Sequence, residues 1–330
     1  MSVHIVMMLI PSMFINLINF YDLTASSLGL IFSISSFCFG LGSLPMSLLY
    51  NKYGPRVLLV FSQVGIFITA FLASNSQSIE SFAIFNIFLG LFASIHHPVS
   101  LTLISEVFDE NISKANAFHG VFGSLGVSIG PLLCYYAITN FDWQFSFFLI
   151  AIFNLIIAPI TYFVISKVKK KESLNMLDFK MGNQLKMLKI FSLISLIVGI
   201  VFTIFNTFIP SVFKVAIGEQ SNLYVSGILI CGIFGQVLSG FFGDKFNRIK
   251  LLSIVLMVLC PLFIATYFLS NFSLIAVSVL LAVFMYSIQP LINSIIKDIT
   301  TAKIRSVVFG LNFFLMFGVS GLVAGLGGLI

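Results

Sequence analysis

The stretch GFFGDKFNR at residues 240–248 has a weaker copy, SLLYNKYGP, at residues 47–55. The offset between the two copies, 193 residues from residue 47 to residue 240, also separates Asn51 from Asp244. Each copy ends a long apolar run and is followed by basic residues. A repeat of this length predicts a chain built from two related halves.

The composition is that of a membrane protein. Of the 330 residues, 59% are hydrophobic, 8% are charged and 39 are phenylalanine. A soluble fold cannot bury so much apolar surface, whereas a bilayer covers it. The four cysteines lie in apolar runs without paired spacing, so we expect neither a metal site nor a disulfide. They are Cys38, Cys134, Cys231 and Cys260.

Eleven segments are apolar over the roughly 20 residues that a membrane span requires. A lysine-rich stretch at 167–187 separates six of them from five. We therefore predict an all-α membrane protein with bundles at 1–166 and 188–330 and a cytosolic linker between them. The predicted spans are 3–20, 28–50, 56–74, 80–106, 115–138, 143–166, 188–213, 221–243, 250–270, 272–296 and 304–329.

The basic residues orient these spans, because cytoplasmic loops carry the excess of lysine and arginine. With the N-terminus in the cytosol, all of the 17 basic residues except Lys214 fall on the inner side. The formal charge of +6 is then a consequence of topology and implies no nucleic-acid partner. We expect a multi-pass protein of the plasma (cytoplasmic) membrane.

The repeat also bears on the ends of the chain. A counterpart of the span 143–166 would lie beyond residue 330, so we expect that a twelfth span is missing. Either the chain is truncated or it is an eleven-span protein. The first residues lack a basic segment and a cleavage site, so 3–20 is a first span, short by about one turn, and not a signal peptide.

The pattern G-x-x-x-D-[RK]-x-x-[RK] after the second span of each half resembles motif A of the major facilitator superfamily. The resemblance implies that family's fold, two pseudo-symmetric six-helix bundles, here without the twelfth helix. In the family the acidic residue faces the N-terminus of a helix from the other half, a favourable charge–dipole contact that helps to close the cytosolic side. For Asp244 the implied target is the start of span five near Asn116, whereas Asn51 lacks the charge. For the basic positions, anchoring at the inner surface is an alternative. The motif positions are Ser47, Asn51, Lys52, Gly54, Arg56, Gly240, Asp244, Lys245 and Arg248.

Small residues recur every three or four positions along spans two, five, eight and eleven, and so lie on one helical face. Such faces let helices approach closely in lipid. In the superfamily these four helices form the seam between the halves; generic packing is the alternative. GVSIGP at 126–131 resembles motif C of proton-driven exporters, although Leu133 and Cys134 stand where glycines often follow. The stripes are Ser33, Ser36, Gly40, Ser43 and Ser47; Gly123, Gly126 and Gly130, with Pro131; Gly232, Gly235, Ser239 and Gly243; and Gly318, Gly321, Gly325 and Gly328.

Three histidines, His96, His97 and His119, fall in or near span interiors, where ionisable groups are functional candidates. His119 precedes Gly123 by four residues, so we expect it on the seam face. His4 is expected to be solvated. The His-Pro and His-Gly pairs resemble the fosmidomycin-resistance-like efflux branch of the superfamily. The alternative for each of the three is a neutral histidine bonded to a neighbouring helix.

No aspartate, glutamate, lysine or arginine is predicted in mid-span. Anion carriers usually need a cationic clamp, so a dedicated phosphate, nitrate or dicarboxylate carrier is disfavoured. Amides beside a phenylalanine-rich lining suit a neutral or amphipathic small molecule. These candidate substrate residues are Asn16, Asn206, Gln236, Gln289, Asn293 and Asn312.

The sequence therefore predicts a secondary active transporter of a small organic molecule, a proton-coupled efflux permease that acts as a monomer. One alternative is an uptake permease for a sugar or amino-acid-like nutrient. Another is a non-transporting or truncated membrane protein. We expect no cofactor and no enzymatic activity, because no nucleophile–base pair, metal-ligand spacing or nucleotide loop is recognised.

Overall fold

The computed structural model describes residues 1–108, 110–165 and 182–327. Residues 167–181 of the predicted linker and Gly328 lie outside them. Throughout those ranges all regular elements are helices. They are α1 (Ser2–Ser12), α2 (Phe14–Tyr21), α3 (Ala25–Ser74), α4 (Ile79–Ala93), α5 (His96–Val107), α6 (Ile112–Asn140), α7 (Gln144–Val164), α8 (Gly182–Ile217), α9 (Ser221–Ile230), α10 (Gly232–Gly243), α11 (Arg248–Phe268), α12 (Asn271–Ile299), α13 (Arg305–Phe313), a π-helix (Phe314–Val319) and α14 (Ser320–Gly327).

Nine helical segments of the described chain are long and apolar enough to cross a membrane. One of them, α3, has 50 residues, far more than one crossing needs. A further apolar pair, α1 and α2, bends by 58° at Met13. When α3 is divided at its break and the bent pair is counted as one span, the described spans agree with the eleven predicted.

The break in α3 lies at Gly54, whose φ of 78° and ψ of 163° are not helical. Glycine adopts positive φ at little steric cost. Pro55 follows and cannot donate a backbone hydrogen bond, but it suits the first position of a new helix. The motif residues Asn51 and Lys52 are thereby placed at the end of the first span of α3.

Large apolar side chains on the helix surfaces are widely exposed. Phe163, Tyr267 and Phe272 have exposed fractions of 79%, 87% and 81%. Exposed apolar surface on this scale is unfavourable in water and favourable against lipid. The helices therefore belong to a multi-pass membrane protein.

The chain forms two compact units. Unit 1 comprises Met1–Ser12, Ile104–Thr139 and Asn206–Asp298, and unit 2 comprises the remaining segments. The units group segments that contact one another, and each unit contains helices from both halves of the sequence. The division into bundles at 167–187 therefore stays a prediction.

Unit 1 is held by close helix contacts at glycine. A Cβ added at Gly130 on α6 would lie 2.6 Å from Met8 Cβ on α1, and one added at Gly235 on α10 would lie 1.8 Å from the Val283 oxygen on α12. In unit 2, a Cβ added at Gly40 on α3 would lie 2.3 Å from Gly318 Cα of the π-helix. Without side chains at these points, neighbouring backbones come into van der Waals contact.

Candidate functional site

The carboxylate of Asp244 lies at the N-terminus of α6. Asp244 directly follows α10, and its Oδ1 accepts a hydrogen bond from the Ser113 backbone N–H at 2.9 Å. Its Oδ2 accepts one from the Lys114 backbone N–H at 3.1 Å. The predicted contact between Asp244 and the start of the fifth span is therefore present, about one turn before Asn116.

Asp244 performs the task of a helix N-cap from another helix. The first N–H groups of a helix have no partner inside it, and a cap side chain usually accepts at the second or third of them. Asn111, just before α6, has a positive φ of 56° and its Oδ1 accepts from Lys114 Nζ at 2.8 Å. Because the Asn111 side chain is used on Lys114 Nζ, the carboxylate of Asp244 accepts from the second and third N–H groups of α6 instead. It also places a favourable charge at the positive end of the helix dipole.

Arg248 links this cap to three further groups. Its Nη2 lies 3.2 Å from Asp244 Oδ1 and its Nη1 2.5 Å from Asp298 Oδ2 on α12. Its Nε donates to Ser113 Oγ at 3.0 Å and to the Gly243 carbonyl at 2.9 Å. The guanidinium thus joins the ends of α6, α10 and α12.

The electrostatics of Asp244 favour its charged form. Partial burial by itself raises the pKa of this carboxyl, but hydrogen bonds from the Ser113 and Lys114 backbone, the Ser113 hydroxyl and Arg248 outweigh burial and hold the pKa below its ordinary value. The side chain is only 9% exposed. Asp244, Arg248, Ser113, Lys114 and Asp298 are called the latch below.

Glycines of the motif bring α10 against α6. A Cβ at Gly240 would lie 2.3 Å from Ala117 Cβ, and one at Gly243 would lie 2.9 Å from Ser113 Oγ. Both distances are shorter than a side chain tolerates. The spacing of Gly240 and Asp244 along α10 therefore positions the carboxylate for its cap.

The first motif copy forms no such latch in the described residues. The amide of Asn51 makes no hydrogen bond there, and α13 begins without a side-chain cap at Ile304. Arg56 donates to the Ile165 carbonyl and lies 5.3 Å from the Tyr162 ring centroid. Lys52 lies 5.1 Å over the ring of Tyr53. Lys245 of the second copy is similar, 3.9 Å over Phe241.

The small-residue stripes pack in two ways. In unit 2, α3 meets the last span as expected: Ser43 Oγ donates to the Gly310 carbonyl at 2.8 Å, and a Cβ at Gly310 would lie 2.5 Å from Ser47 Oγ. In unit 1 the stripe of α6 does not face α10, because positions Gly123 and Gly126 lie against His4. The glycine stripe itself packs on α1. Pro131 is buried in α6, and α6 meets α10 through Ser113, Ala117 and Gly120 instead.

The histidines occupy different surroundings. His97 is 1% exposed and stacks on Phe313, with ring centroids 4.4 Å apart and planes inclined by 7°. His96 contacts His97 edge-on and is half-buried, as is His119 on α6. His4 is 7% exposed, so its predicted solvation is wrong. It is buried because α1 packs closely against the glycine face of α6.

The candidate amides are largely buried. Asn206 Oδ1 accepts from the Tyr286 hydroxyl at 2.7 Å, and Gln236 Nε2 donates to Ser124 Oγ at 3.4 Å. Asn312 Nδ2 lies 3.4 Å from Met316 Sδ. Asn293 is 2% exposed, whereas Asn16 and Gln289 are half-buried.

Sequence reasoning missed Ser294 and Asp298 as site residues and named Asn116 only as a marker for the start of span five. Asn116 Nδ2 donates to Ser294 Oγ at 3.1 Å and joins α6 to α12. Asparagine and serine inside predicted spans were a usable signal, since polar side chains there bond across helices. The partner of each was not deducible without the fold.

Apolar spans throughout the described residues, a repeated motif and a carboxylate that joins two span ends are typical of a membrane transporter. The chain belongs to the Major Facilitator Superfamily, whose profile matches residues 1–325. The predicted family and fold are thereby confirmed.

Two curated relatives are named for different roles, one for drug resistance and one for nitrate transport. One is the bicyclomycin resistance protein homolog of Haemophilus influenzae, 22% identical over 46% of this chain and 39% of that protein. The other is the probable nitrate transporter NarT of Staphylococcus epidermidis, 22% identical over 74% of this chain and 64% of that protein. The chain spans less than two thirds of the length of either.

Solved structures share the fold at low sequence identity. The human organic anion transporter MFSD10 (TETRAN) matches with a TM-score of 0.76 and 16% identity, over 91% of this chain and 77% of that one. The proton:xylose symporter XylE matches with a TM-score of 0.72 and 17% identity, over 99% and 91%. These similarities show the architecture alone.

Proposed function

We propose that this chain is a secondary active transporter that moves a neutral or amphipathic small organic molecule by alternating access. It works as a proton-coupled efflux permease of the cytoplasmic membrane, as a monomer with its N-terminus in the cytosol. The observation that carries this proposal is the capping of α6 by Asp244. The contact joins the ends of two spans through groups that can separate without unfolding either helix.

The strength of the latch suits a reversible gate. An N-cap contributes about 0.5–2 kcal/mol, and a charge at a helix end about 0.3–1 kcal/mol at an exposed position. Contacts of this size bias a balanced two-state equilibrium without making it irreversible. The remaining basic residues of the motif act as anchors at the inner surface.

His119 is the proposed coupling residue. Its unperturbed pKa is the closest to neutrality among side chains, and it lies on α6, whose N-terminus the latch holds. A group whose proton affinity differs between two conformations couples proton movement to the cycle. We propose that His96 or His97 contacts substrate or relays the proton.

An uptake permease for a sugar or an amino-acid-like nutrient is the second candidate. The buried amides Asn206, Gln236 and Asn293 favour it, because amides hydrogen-bond hydroxyl and amino groups.

The proposal is tested in efflux-deficient cells that express the chain. Export predicts lower accumulation of at least one compound from a panel of neutral dyes and antimicrobials, with loss of the effect after a protonophore. Asp244→Asn should slow export, and Asn51→Ala, at the copy without a latch, should not. Equal accumulation in expressing and empty cells, together with energy-dependent uptake of a labelled sugar, would favour the second candidate.

A further inference from the structure

We infer that the solute presents hydrogen-bond donors to three buried amide oxygens of unit 1 and is a neutral molecule bearing O–H or N–H groups, not an anion. The inference rests on the proposed transport function and specifies its substrate class. The oxygens are Asn116 Oδ1 on α6, Gln236 Oε1 on α10 and Asn293 Oδ1 on α12. Their side chains are 2%, 1% and 2% exposed, and no described group donates to these oxygens.

Hydrogen bonding fixes which end of the Asn116 amide is the acceptor. The Ser294 hydroxyl donates its proton to the Pro290 carbonyl at 2.7 Å. Its oxygen can therefore only accept from Asn116, which must turn its NH₂ group to it at 3.1 Å. The Asn116 oxygen is consequently directed elsewhere. Gln236 Nε2 lies 3.4 Å from Ser124 Oγ, which leaves its oxygen on the other side of the amide.

The three amides lie at one level of the helices. Gln236 Oε1 is 2.1 Å from the point that a Cβ of Gly120 would occupy, and Gly120 follows Asn116 by about one turn of α6. Asn293 directly precedes Ser294, the partner of Asn116. The acceptors thus come from three helices within about one helical turn.

Buried acceptors without donors select a ligand by its chemistry. Burial removes water from these oxygens, so a ligand that donates O–H or N–H groups restores the hydrogen bonds that they lost. An anion brings only further acceptors and leaves the oxygens without donors. The basic residues near the ends of α6 and α10 are already engaged: Lys114 bonds Asn111, Lys245 lies 3.9 Å over the Phe241 ring, and Arg248 bonds Asp244 and Asp298. This donor–acceptor balance disfavours nitrate and organic anions, the substrates named for two of the similar proteins.

Access to these oxygens requires α6 and α10 to separate, because Gln236 lies against the α6 backbone at Gly120. The latch holds the same two helices together, about two turns from Gln236 along α10 and within one turn of Asn116 along α6. A solute that binds only when α6 and α10 are apart competes with the latch, which holds them together. Its apparent affinity is the intrinsic affinity multiplied by the fraction of molecules in which the two helices are apart. Asp244→Asn should therefore raise apparent affinity, while loss of an amide lowers it.

The test uses the purified full-length chain in nanodiscs and ligand-induced shifts of the unfolding temperature. The probes are neutral sugars, polyols and amides, including D-xylose and N-acetylglucosamine, and the anions nitrate and p-aminohippurate. We expect a stabilising shift from at least one neutral probe and none from either anion. For that probe, Gln236→Leu and Asn293→Leu should each weaken apparent binding about 3- to 10-fold, the range for one lost hydrogen bond.

Gln236→Glu keeps an acceptor and should retain more affinity than Gln236→Leu. Asn86→Leu is the matched control, because Asn86 is a buried amide of unit 2 that donates within its own helix. Stabilisation by an anion, no shift from any neutral probe, or full affinity in both leucine variants would overturn the inference. Transport of an amphipathic organic anion such as p-aminohippurate would do so while leaving the proposed function intact.

Discussion

Replacement of Asp244 by asparagine tests the latch most directly. The variant keeps the shape and one acceptor, so it can still bond the Ser113 N–H. Its single oxygen can accept from only one of the two N–H groups, so its NH₂ group faces the other N–H, donor against donor. The charge at the helix end is also lost. One weakened cap and one lost charge together cost about 1–2 kcal/mol, which shifts a two-state equilibrium about 5- to 30-fold.

The shift is measured as alkylation of a single cysteine at Ile112, the first residue of α6 and only 3% exposed. The four native cysteines are replaced beforehand. We expect alkylation to be about 5- to 30-fold faster with Asp244→Asn, because the end of α6 is released from α10. Asn51→Ala serves as the matched control and should leave the rate unchanged, since Asn51 makes no corresponding hydrogen bond to the described residues.

The pH dependence has a definite sign. Because the pKa of Asp244 is held below its ordinary value of 3.8, the latch contribution is fully present above that value and is lost only as pH falls through the lowered pKa. The ratio of the two alkylation rates, in which ionisation of the thiol cancels, should be constant between pH 5.5 and 8. Equal rates in the two proteins, or a ratio that changes across this range, would refute the reasoning.

Three further predictions follow from other contacts. Gly240→Ala places a methyl group 2.3 Å from Ala117 Cβ, so it should lower the unfolding temperature and speed alkylation at position 112 as Asp244→Asn does. The control Gly227→Ala, where an added Cβ has nothing within 4 Å, should be neutral or stabilising. Equal effects of the two substitutions would contradict the packing argument. His97→Ala should lower the free energy of unfolding by about 0.5–1.5 kcal/mol relative to His97→Phe, because only the phenylalanine keeps the stack on Phe313. The comparison is made by denaturation in detergent. Equal stability of the two variants would show that the stack contributes nothing. A cysteine at Gln77, in the exposed turn after α3, should react with an impermeant thiol reagent in intact cells, and one at Lys250 should not; the reverse pattern would invert the predicted topology.

The sequence by itself determined the number of spans, because span length is set by bilayer thickness. The contact of Asp244 came from the family resemblance, and its physical reason is the attraction between a carboxylate and the positive end of a helix dipole. The break at Gly54 was also readable, since a Gly-Pro pair interrupts a helix at that point. The family resemblance supplied the partner, the start of α6.

The tertiary structure alone decided which neighbour each face meets. The stripe at Gly123 and Gly126 predicted a close approach but could not name the approaching helix, which is α1 with His4. Small residues remove a steric barrier and carry no information about the partner. The pairings of Arg248 with Asp298 and of Asn116 with Ser294 join residues 50 and 178 positions apart. Such pairings depend on how helices pack in three dimensions, which periodicity along one helix does not encode.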